Sequence, residues 1–147
     1  MAMTNIDDYI GREIETGSEN ETKALGREIV GMLGEGSVVA LVGELGAGKT
    51  VFIKGMAEGL GIKDLVSSPS FIIVNFYLGR LPLAHLDLYR LSEIDAISDG
   101  IYEYLLEDGI TAVEWADRAP SIIPDEAIKI EIEVKGVNKR LIRISIW

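Results

Sequence analysis

The sequence contains no cysteine, one histidine and four prolines among its 147 residues. The absence of cysteine excludes disulfide bonds and thiolate metal sites, and it fits a cytoplasmic location. Apolar residues make up 48% of the chain, yet no apolar run approaches the roughly 18–20 residues that cross a bilayer. The first residues, MAMTNIDDYIG, have no basic stretch followed by an apolar one. We therefore expect neither a secretion signal nor an association with the membrane.

Positive charge is also scarce, and it is unevenly distributed. Lysine and arginine number 14 against 24 aspartate and glutamate residues, which gives a net charge of −10. Residues 92–126 hold ten acids and one base. Such a segment repels a nucleic-acid backbone, so tight direct binding of RNA is not expected. The segment is either a solvated acidic face or a docking surface for a basic partner.

Hydrophobic patterning predicts helices and a central strand in the first half of the chain. The run SVVALVG at 37–43 is apolar without alternation, as in a central strand covered on both faces. Ser18 and Glu21 have the spacing of a capping box before a helix that Gly34 or Gly36 can end. A second helix follows residue 48 and can end at Gly61.

The remaining strands predict the fold class. An edge strand is expected at 8–15, an irregular acidic helical segment at 92–108, and further strands at 70–78, 81–89, 110–115, 127–134 and 140–147. Short turns join 70–78 to 81–89 and 127–134 to 140–147, which indicates two antiparallel hairpins. We therefore expect a single α/β domain over residues 1–147. Its mixed sheet is parallel at the centre, antiparallel in the hairpins, and flanked by helices.

A phosphate-binding loop is the most informative motif. The pattern G-x-x-x-x-G-K-[ST] is met by Gly43-Glu44-Leu45-Gly46-Ala47-Gly48-Lys49-Thr50. In such a loop the backbone N–H groups and the N-terminus of the following helix converge on phosphate oxygens. Lys49 is expected at the β- and γ-phosphates and the Thr50 hydroxyl at Mg²⁺. All eight residues are predicted to bind nucleotide, within a P-loop NTPase-like sheet.

Two carboxylates at predicted strand ends are candidates for the rest of the site. Asp87 follows LPLAHL and suits a Mg²⁺ ligand, because its short side chain holds a fixed position. Glu114 follows ITAV and could orient or polarise the attacking water. The alternative for each is a surface carboxylate at a strand end. His85 shares the strand face of Asp87 and is expected to be a packed, hydrogen-bonded core residue, and Trp115 is expected to pack as well.

A short loop and the choice of base are less constrained. Ser68-Pro69-Ser70 is either a mobile loop that senses the γ-phosphate or an ordinary turn into a strand. A GTPase would usually carry Asn-Lys-x-Asp, but Asn138-Lys139 is followed by Arg140 and Leu141 in a predicted turn. ATP is therefore favoured over GTP.

Three functions remain open on these residues. They are an accessory ATPase, a small-molecule P-loop kinase, and a regulatory nucleotide-binding module. A kinase usually needs a lid with arginines, and the acidic segment 92–126 holds only Arg118. Arg90 follows the Asp87 strand and could still face a phosphate. Neither arginine is an obvious arginine finger, so we expect slow hydrolysis by the isolated chain.

Four ordered motifs resemble the TsaE (YjeE) family of bacterial ATPases. They are GELGAGKT, SSPSF, HLDLYRL and VEW, which extend from about Thr22 to Trp115. The resemblance implies a mixed α/β fold, a site for ATP and Mg²⁺, and a role in biosynthesis of threonylcarbamoyladenosine in tRNA. It also implies docking onto a heterodimer of TsaD and TsaB. There the ATPase resets the synthase complex between turnovers.

The resemblance also carries roles over to particular residues. Lys49 and Thr50 would bind phosphate and Mg²⁺, and Asp87 would bind Mg²⁺. Glu114 and Trp115 match the family's Glu-Trp motif, which supports hydrolysis beside the nucleotide. One departure is that Ser70 replaces the threonine of the usual serine-proline-threonine segment. Its hydroxyl can still sense nucleotide, but the threonine methyl group is lost.

Overall fold

The computed structural model describes residues 5–64, 66 and 73–147. The strands there are β1 (Glu13–Thr16), β2 (Val38–Gly43), β3 (Val74–Tyr77), β4 (Leu83–Asp87), β5 (Ile110–Glu114), β6 (Ile128–Val134) and β7 (Arg140–Ile146). The α-helices are α1 (Glu19–Val30), α2 (Lys49–Gly59) and α3 (Glu93–Ser98). Short 3-10 segments lie at Ile6–Asp8, Ile101–Tyr104, Ala116–Arg118 and Pro120–Ile122.

The strands form one mixed sheet in the order β1-β7-β6-β2-β5-β4-β3. β2 pairs in parallel with both β5 and β6, and β4 pairs in parallel with β5. The β3–β4, β6–β7 and β1–β7 pairs are antiparallel. This arrangement confirms the predicted α/β class, with its parallel centre and antiparallel hairpins.

β2 is central because both of its faces are covered. Val39 and Leu41 pack into the core beneath α1 and α2, while Val38, Ala40 and Val42 pack into the core beneath α3. A strand buried on both faces needs apolar side chains at every position, which explains the absence of alternation in its sequence. Among the described residues, none of the helices combines the length and the apolar character that a membrane span requires.

α1 holds α2 in place through an unusually close helix contact. A Cβ atom on Gly55 would lie 2.1 Å from the carbonyl oxygen of Lys23, and one on Gly26 would lie 2.3 Å from that of Phe52. The two backbones can therefore touch only because neither glycine has a side chain. Since α2 starts at the phosphate loop, this contact anchors the loop to the core.

Several predicted boundaries differ from those observed. α1 ends at Val30, earlier than the predicted Gly34 or Gly36, because the N–H groups of Met32 and Leu33 bond to carbonyls three residues back and no longer continue the α-helical pattern. The edge strand predicted at 8–15 is observed at Glu13–Thr16, and residues 6–8 form a 3-10 turn capped by Asn5. The acidic segment 92–108 divides into α3 and a 3-10 turn. Gly100, with a φ of +66°, separates them.

Candidate functional site

The phosphate-loop motif lies between β2 and α2, as its pattern predicts. Gly48 caps the helix with a φ of +109°, a left-handed conformation that favours glycine. At the other end of the loop, a Cβ atom on Gly43 would lie 2.5 Å from the Ile132 carbonyl oxygen of β6. The N-terminus of α2 therefore faces outward at the carboxyl end of the central strand, where open α/β sheets bind their ligands.

A cavity of about 730 Å³ opens at this loop. Its lining includes the stretch from Leu45 to Val51, together with Asp87, Glu114 and Trp115. The volume lies in the range of ~300–1,000 Å³ that is typical of small-molecule sites. The structure thus brings together six of the eight predicted loop residues, both predicted carboxylates and the predicted tryptophan around one space, while Gly43 and Glu44 lie outside the lining.

Lys49 is buried in the floor of this cavity, with only 4% of its surface exposed. Its Nζ donates hydrogen bonds to the carbonyl oxygens of Gly43 at 2.6 Å and Glu44 at 2.8 Å. Burial lowers the pKa of Lys49, and the carboxylates of Glu114 and Asp117 oppose that shift without overcoming it. The amine is therefore a poorly solvated cation that can exchange its two carbonyls for phosphate oxygens.

The Thr50 hydroxyl donates to the Glu114 carboxylate, with its oxygen 3.0 Å from both Oε1 and Oε2. Glu114 is itself only 3% exposed. His85, fully buried on β4, places its Nε2 2.5 Å from Glu114 Oε2. These contacts confirm His85 as a packed, hydrogen-bonded core residue. They also show that Glu114 joins the phosphate loop to β4, a contact that sequence reasoning missed.

Asp87 ends β4 directly beside Glu114 on β5. The two residues are Cα partners in the parallel register, so their side chains leave the same face of the sheet. Asp87 lines the cavity and accepts a hydrogen bond of 2.9 Å from the Tyr89 N–H. Both carboxylates therefore lie at the carboxyl ends of β4 and β5, where a metal and a water could be bound. The division of roles between them stays a prediction.

Trp115 lies between the core and the cavity. Its φ of 58° is the only positive value among non-glycine residues in the described ranges, and strain of this kind costs about 1–2 kcal/mol. The Lys49 Nζ lies 4.0 Å from the Trp115 ring centroid. Tyr89 packs on the same ring at 4.8 Å, and the Arg118 guanidinium lies 5.5 Å from the Tyr89 ring. Trp115 therefore packs as expected, and it also contacts Lys49 of the phosphate loop directly.

Arg140 is a residue of the site that sequence reasoning did not place there. Its Nε donates to the Ala47 carbonyl at 2.8 Å, and its Nη1 donates to the Gly136 carbonyl at 3.1 Å. The contact arises because β6 runs parallel to β2 and β7 turns back, which puts the β6–β7 turn beside the phosphate loop. The sequence offered one indication, the position of Arg140 just after a predicted hairpin turn. That position does not reveal which strands are neighbours, so it could not place Arg140 beside the phosphate loop.

Comparison with known proteins identifies the family. Residues 16–142 match the family model described as threonylcarbamoyl adenosine biosynthesis protein TsaE. The chain belongs to the TsaE family. The resemblance seen in the sequence motifs is therefore confirmed, and with it a role in tRNA threonylcarbamoyladenosine biosynthesis.

Individual TsaE proteins are similar over nearly the whole chain. The protein from Treponema pallidum is 39% identical over 87% of this chain and 96% of its own length. The one from Bacillus subtilis is 41% identical over 88% of this chain and 82% of its own length. The crystal structure of Bacillus subtilis YdiB superposes with a TM-score of 0.78 and 36% identity. It covers 92% of this chain and 86% of that one.

The oxygen donors of this TsaE site fit Mg²⁺. Thr50 offers a hydroxyl, and Asp87 and Glu114 offer carboxylates, which are hard ligands of the kind that Mg²⁺ prefers. Within the described residues no group of three or more His, Asp or Glu side chains could hold a metal alone. Mg²⁺ in nucleotide sites is usually held by one or two carboxylates together with substrate phosphates, so this donor set suits a metal that arrives with a triphosphate.

Two further predictions concern residues at the margins of the site. The segment Ser68-Pro69-Ser70, including the nucleotide-binding candidate Ser70, lies outside the described residues. Asn138 lies in the turn between β6 and β7, as expected, and also lines the cavity. The preference for ATP over GTP still depends on the sequence alone, because Asn138-Lys139 is not followed by the aspartate of the Asn-Lys-x-Asp motif.

Proposed function

We propose that this TsaE-family chain is a Mg²⁺-dependent ATPase, built as a single P-loop domain over residues 1–147 and working in the cytoplasm. One observation carries the proposal. In a complete phosphate loop beside a nucleotide-sized cavity, Lys49 is buried against the loop carbonyls and Thr50 donates a hydrogen bond to Glu114. A glycine turn without such a function would not need a buried lysine, since burial of a cation is costly.

The chemistry follows from which groups of the site donate and which accept. The loop N–H groups and Lys49 would bind the phosphates, and Thr50 with Asp87 would hold Mg²⁺, which neutralises charge on the transferring group. Thr50 donates a hydrogen bond to Glu114, so the lone pairs of its oxygen remain free for a metal. Glu114 would orient the attacking water through its carboxylate. Trp115 and Ser70 would contact the nucleotide.

Hydrolysis by the isolated chain should be slow. Arg118 stacks on Tyr89, and Arg140 is bonded to loop carbonyls, so neither is placed as a catalytic arginine. Arg90 lines the cavity, and its approach to a phosphate stays a prediction. A positive group supplied by another protein is worth about 10³–10⁵ in rate in related NTPases. We therefore propose that the chain docks on the TsaD–TsaB heterodimer, is activated there, and resets the synthase complex between turnovers.

The docking face that we propose is apolar at its centre and acidic around it. Phe76 and Leu78 are 56% and 82% exposed, and the Phe76 ring lies 6.1 Å from that of Tyr104. The stretch 92–108, which contains Tyr104, carries six acids and no base. Exposed aromatic and aliphatic side chains with a charged rim are typical of protein interfaces. The TsaD–TsaB surface that meets this face should therefore carry basic side chains.

Steady-state phosphate release with and without the TsaD–TsaB heterodimer tests the proposal. We expect slow release by the chain alone and a large rise when the heterodimer is present. The Glu114→Ala variant should abolish that rise. Fast hydrolysis that the heterodimer does not change would contradict partner activation, and transfer of the phosphoryl group to a small hydroxyl compound would favour a kinase.

A further inference from the structure

His85 does more in this structure than fill the core. It is the only histidine of the chain and is fully buried. In the parallel register His85 pairs with Ala112, two residues before Glu114 on β5, so the imidazole and the carboxylate lie on one face of the sheet. The ring reaches forward along that face, and Nε2 lies 2.5 Å from Glu114 Oε2.

The two hydrogen bonds to Glu114 come from different elements. Thr50 approaches from the start of α2, and His85 approaches from β4. A carboxylate that is only 3% exposed needs such donors to offset its lost hydration. Two donors from fixed elements also prevent the carboxylate from rotating about its last side-chain bond, which a single hydroxyl cannot do.

The protonation pattern of the ring follows from what it contacts. An ionised carboxylate only accepts hydrogen bonds, so Nε2 must carry the hydrogen. Nδ1 is buried and finds no hydrogen-bond partner among the described residues. Among the described residues, the contact with Glu114 is therefore the one side-chain hydrogen bond of the ring.

We propose that His85 is a positioning residue that holds Glu114 in the orientation at which it meets the Thr50 hydroxyl and the attacking water. The proposal rests on the proposed ATPase function. Loss of the Nε2–H donor leaves ATP contacts with the phosphate loop in place but lets the carboxylate rotate. The effect should therefore fall on turnover rather than on nucleotide affinity.

Three variants separate positioning from packing. His85→Leu removes the donor at similar volume, and His85→Gln keeps an N–H donor near the Nε2 position. Leu83→Val, on the same face of β4 and equally buried, perturbs the core and leaves the Glu114 contacts intact. Thermal melting shows whether each variant is folded.

Phosphate release is measured with the TsaD–TsaB heterodimer present, and ATP affinity is measured by calorimetry. We expect kcat of His85→Leu to fall about 10–100-fold, the usual effect of losing an outer-shell partner. Its ATP Kd should stay within about twofold, as a contact outside the phosphate loop predicts. His85→Gln should recover part of the loss. If His85→Leu hydrolyses ATP as Leu83→Val does, the proposal is wrong.

A readout independent of activity comes from the single histidine. In the tag-free, ¹⁵N-labelled chain at one neutral pH, the imidazole gives one set of NMR signals. We expect the Nε2–H tautomer and a hydrogen-bonded Nε2–H proton signal that Glu114→Ala moves or removes. An Nδ1–H tautomer, or a signal that Glu114→Ala leaves unchanged, would overturn the proposal.

The two arms also separate this inference from the function on which it rests. If the wild-type chain with its heterodimer released no phosphate, the proposed ATPase would be wrong, and with it the role of His85 in turnover. The NMR signals would still report whether the imidazole holds Glu114. Expected NMR signals together with the expected loss of kcat would support both.

Discussion

Replacing Lys49 with alanine tests the central assignment of the phosphate loop. The lysine Nζ already has two partners, the carbonyl oxygens of Gly43 and Glu44 at 2.6 and 2.8 Å. Phosphate binding therefore exchanges hydrogen bonds rather than creating them. What the ligand adds is attraction between a full positive and a full negative charge.

The size of the effect follows from that exchange. Unit charges about 4 Å apart near a protein surface attract by about 4 kcal/mol. The two carbonyl contacts, worth about 1.5–3 kcal/mol each, are replaced by contacts of similar strength to phosphate oxygens and nearly cancel. Partial loss of the remaining charge attraction to solvent leaves a net contribution of roughly 2–3 kcal/mol. ATP affinity should therefore fall about 30- to 150-fold.

Two opposing effects act on folding stability. Burial lowers the pKa of Lys49, so the folded chain disfavours the charged amine relative to the unfolded one, and its removal takes away that unfavourable contribution. The same change leaves the Gly43 and Glu44 carbonyls without their donor. Thermal melting of Lys49→Ala beside wild type therefore separates a loss of ATP binding from a loss of folding.

Calorimetric titration of ATP in the presence of Mg²⁺ measures the effect. Lys54→Ala is the matched control, because Lys54 lies on the same helix, α2, and does not line the cavity. We expect wild-type affinity for the control. If Lys49→Ala bound ATP within about threefold of wild type, or if Lys54→Ala weakened binding equally, the assignment of the loop would be refuted.

Four further predictions concern the two carboxylates, the helix contact, Arg140 and the net charge. Asp87→Ala should weaken Mg²⁺-dependent ATP binding and hydrolysis together, whereas Glu114→Ala should slow hydrolysis and leave binding largely intact; equal behaviour in calorimetry and phosphate release would show that the roles are wrongly divided. Gly55→Ala should destabilise the fold by about 1–3 kcal/mol in urea unfolding, because its methyl group meets the Lys23 carbonyl, while Gly34→Ala, which meets nothing within 4 Å, should be nearly neutral. Arg140→Ala should lower ATP affinity about tenfold in calorimetry, since the loop loses charged donors worth roughly 1–2 kcal/mol; unchanged affinity would mean that this arginine does not order the loop. Free tRNA should bind weakly in a gel shift because of the net charge of −10, and tight, salt-resistant binding would contradict this.

Much of this protein could be predicted from local sequence patterns. The phosphate loop is encoded within eight consecutive residues, from Gly43 to Thr50, because its glycines and lysine act on a ligand beside their own backbone. The continuous apolar run at 37–43 sufficed to identify a buried strand. Alternation at 127–134 and 140–147, with a short turn between, sufficed for a hairpin. Each of these features depends on neighbours within about ten residues.

The remaining contacts of the site depended on which strands are neighbours in the sheet, and no local sequence pattern predicts the strand order. Sequence alone predicted that Lys49, Thr50, Asp87 and Glu114 would lie around one site, since the first two belong to the loop motif and the last two stand at predicted strand ends, and the structure places all four around one cavity. Only the tertiary structure decided that the Thr50 hydroxyl meets Glu114, that His85 holds the same carboxylate from β4, and that Arg140 reaches the loop from the far end of the chain. The physical reason is that these contacts join residues from 29 to 93 positions apart. Such contacts follow from the strand order β7-β6-β2-β5-β4. That order depends on how the whole sheet is buried, so it cannot be predicted from any single segment of the sequence.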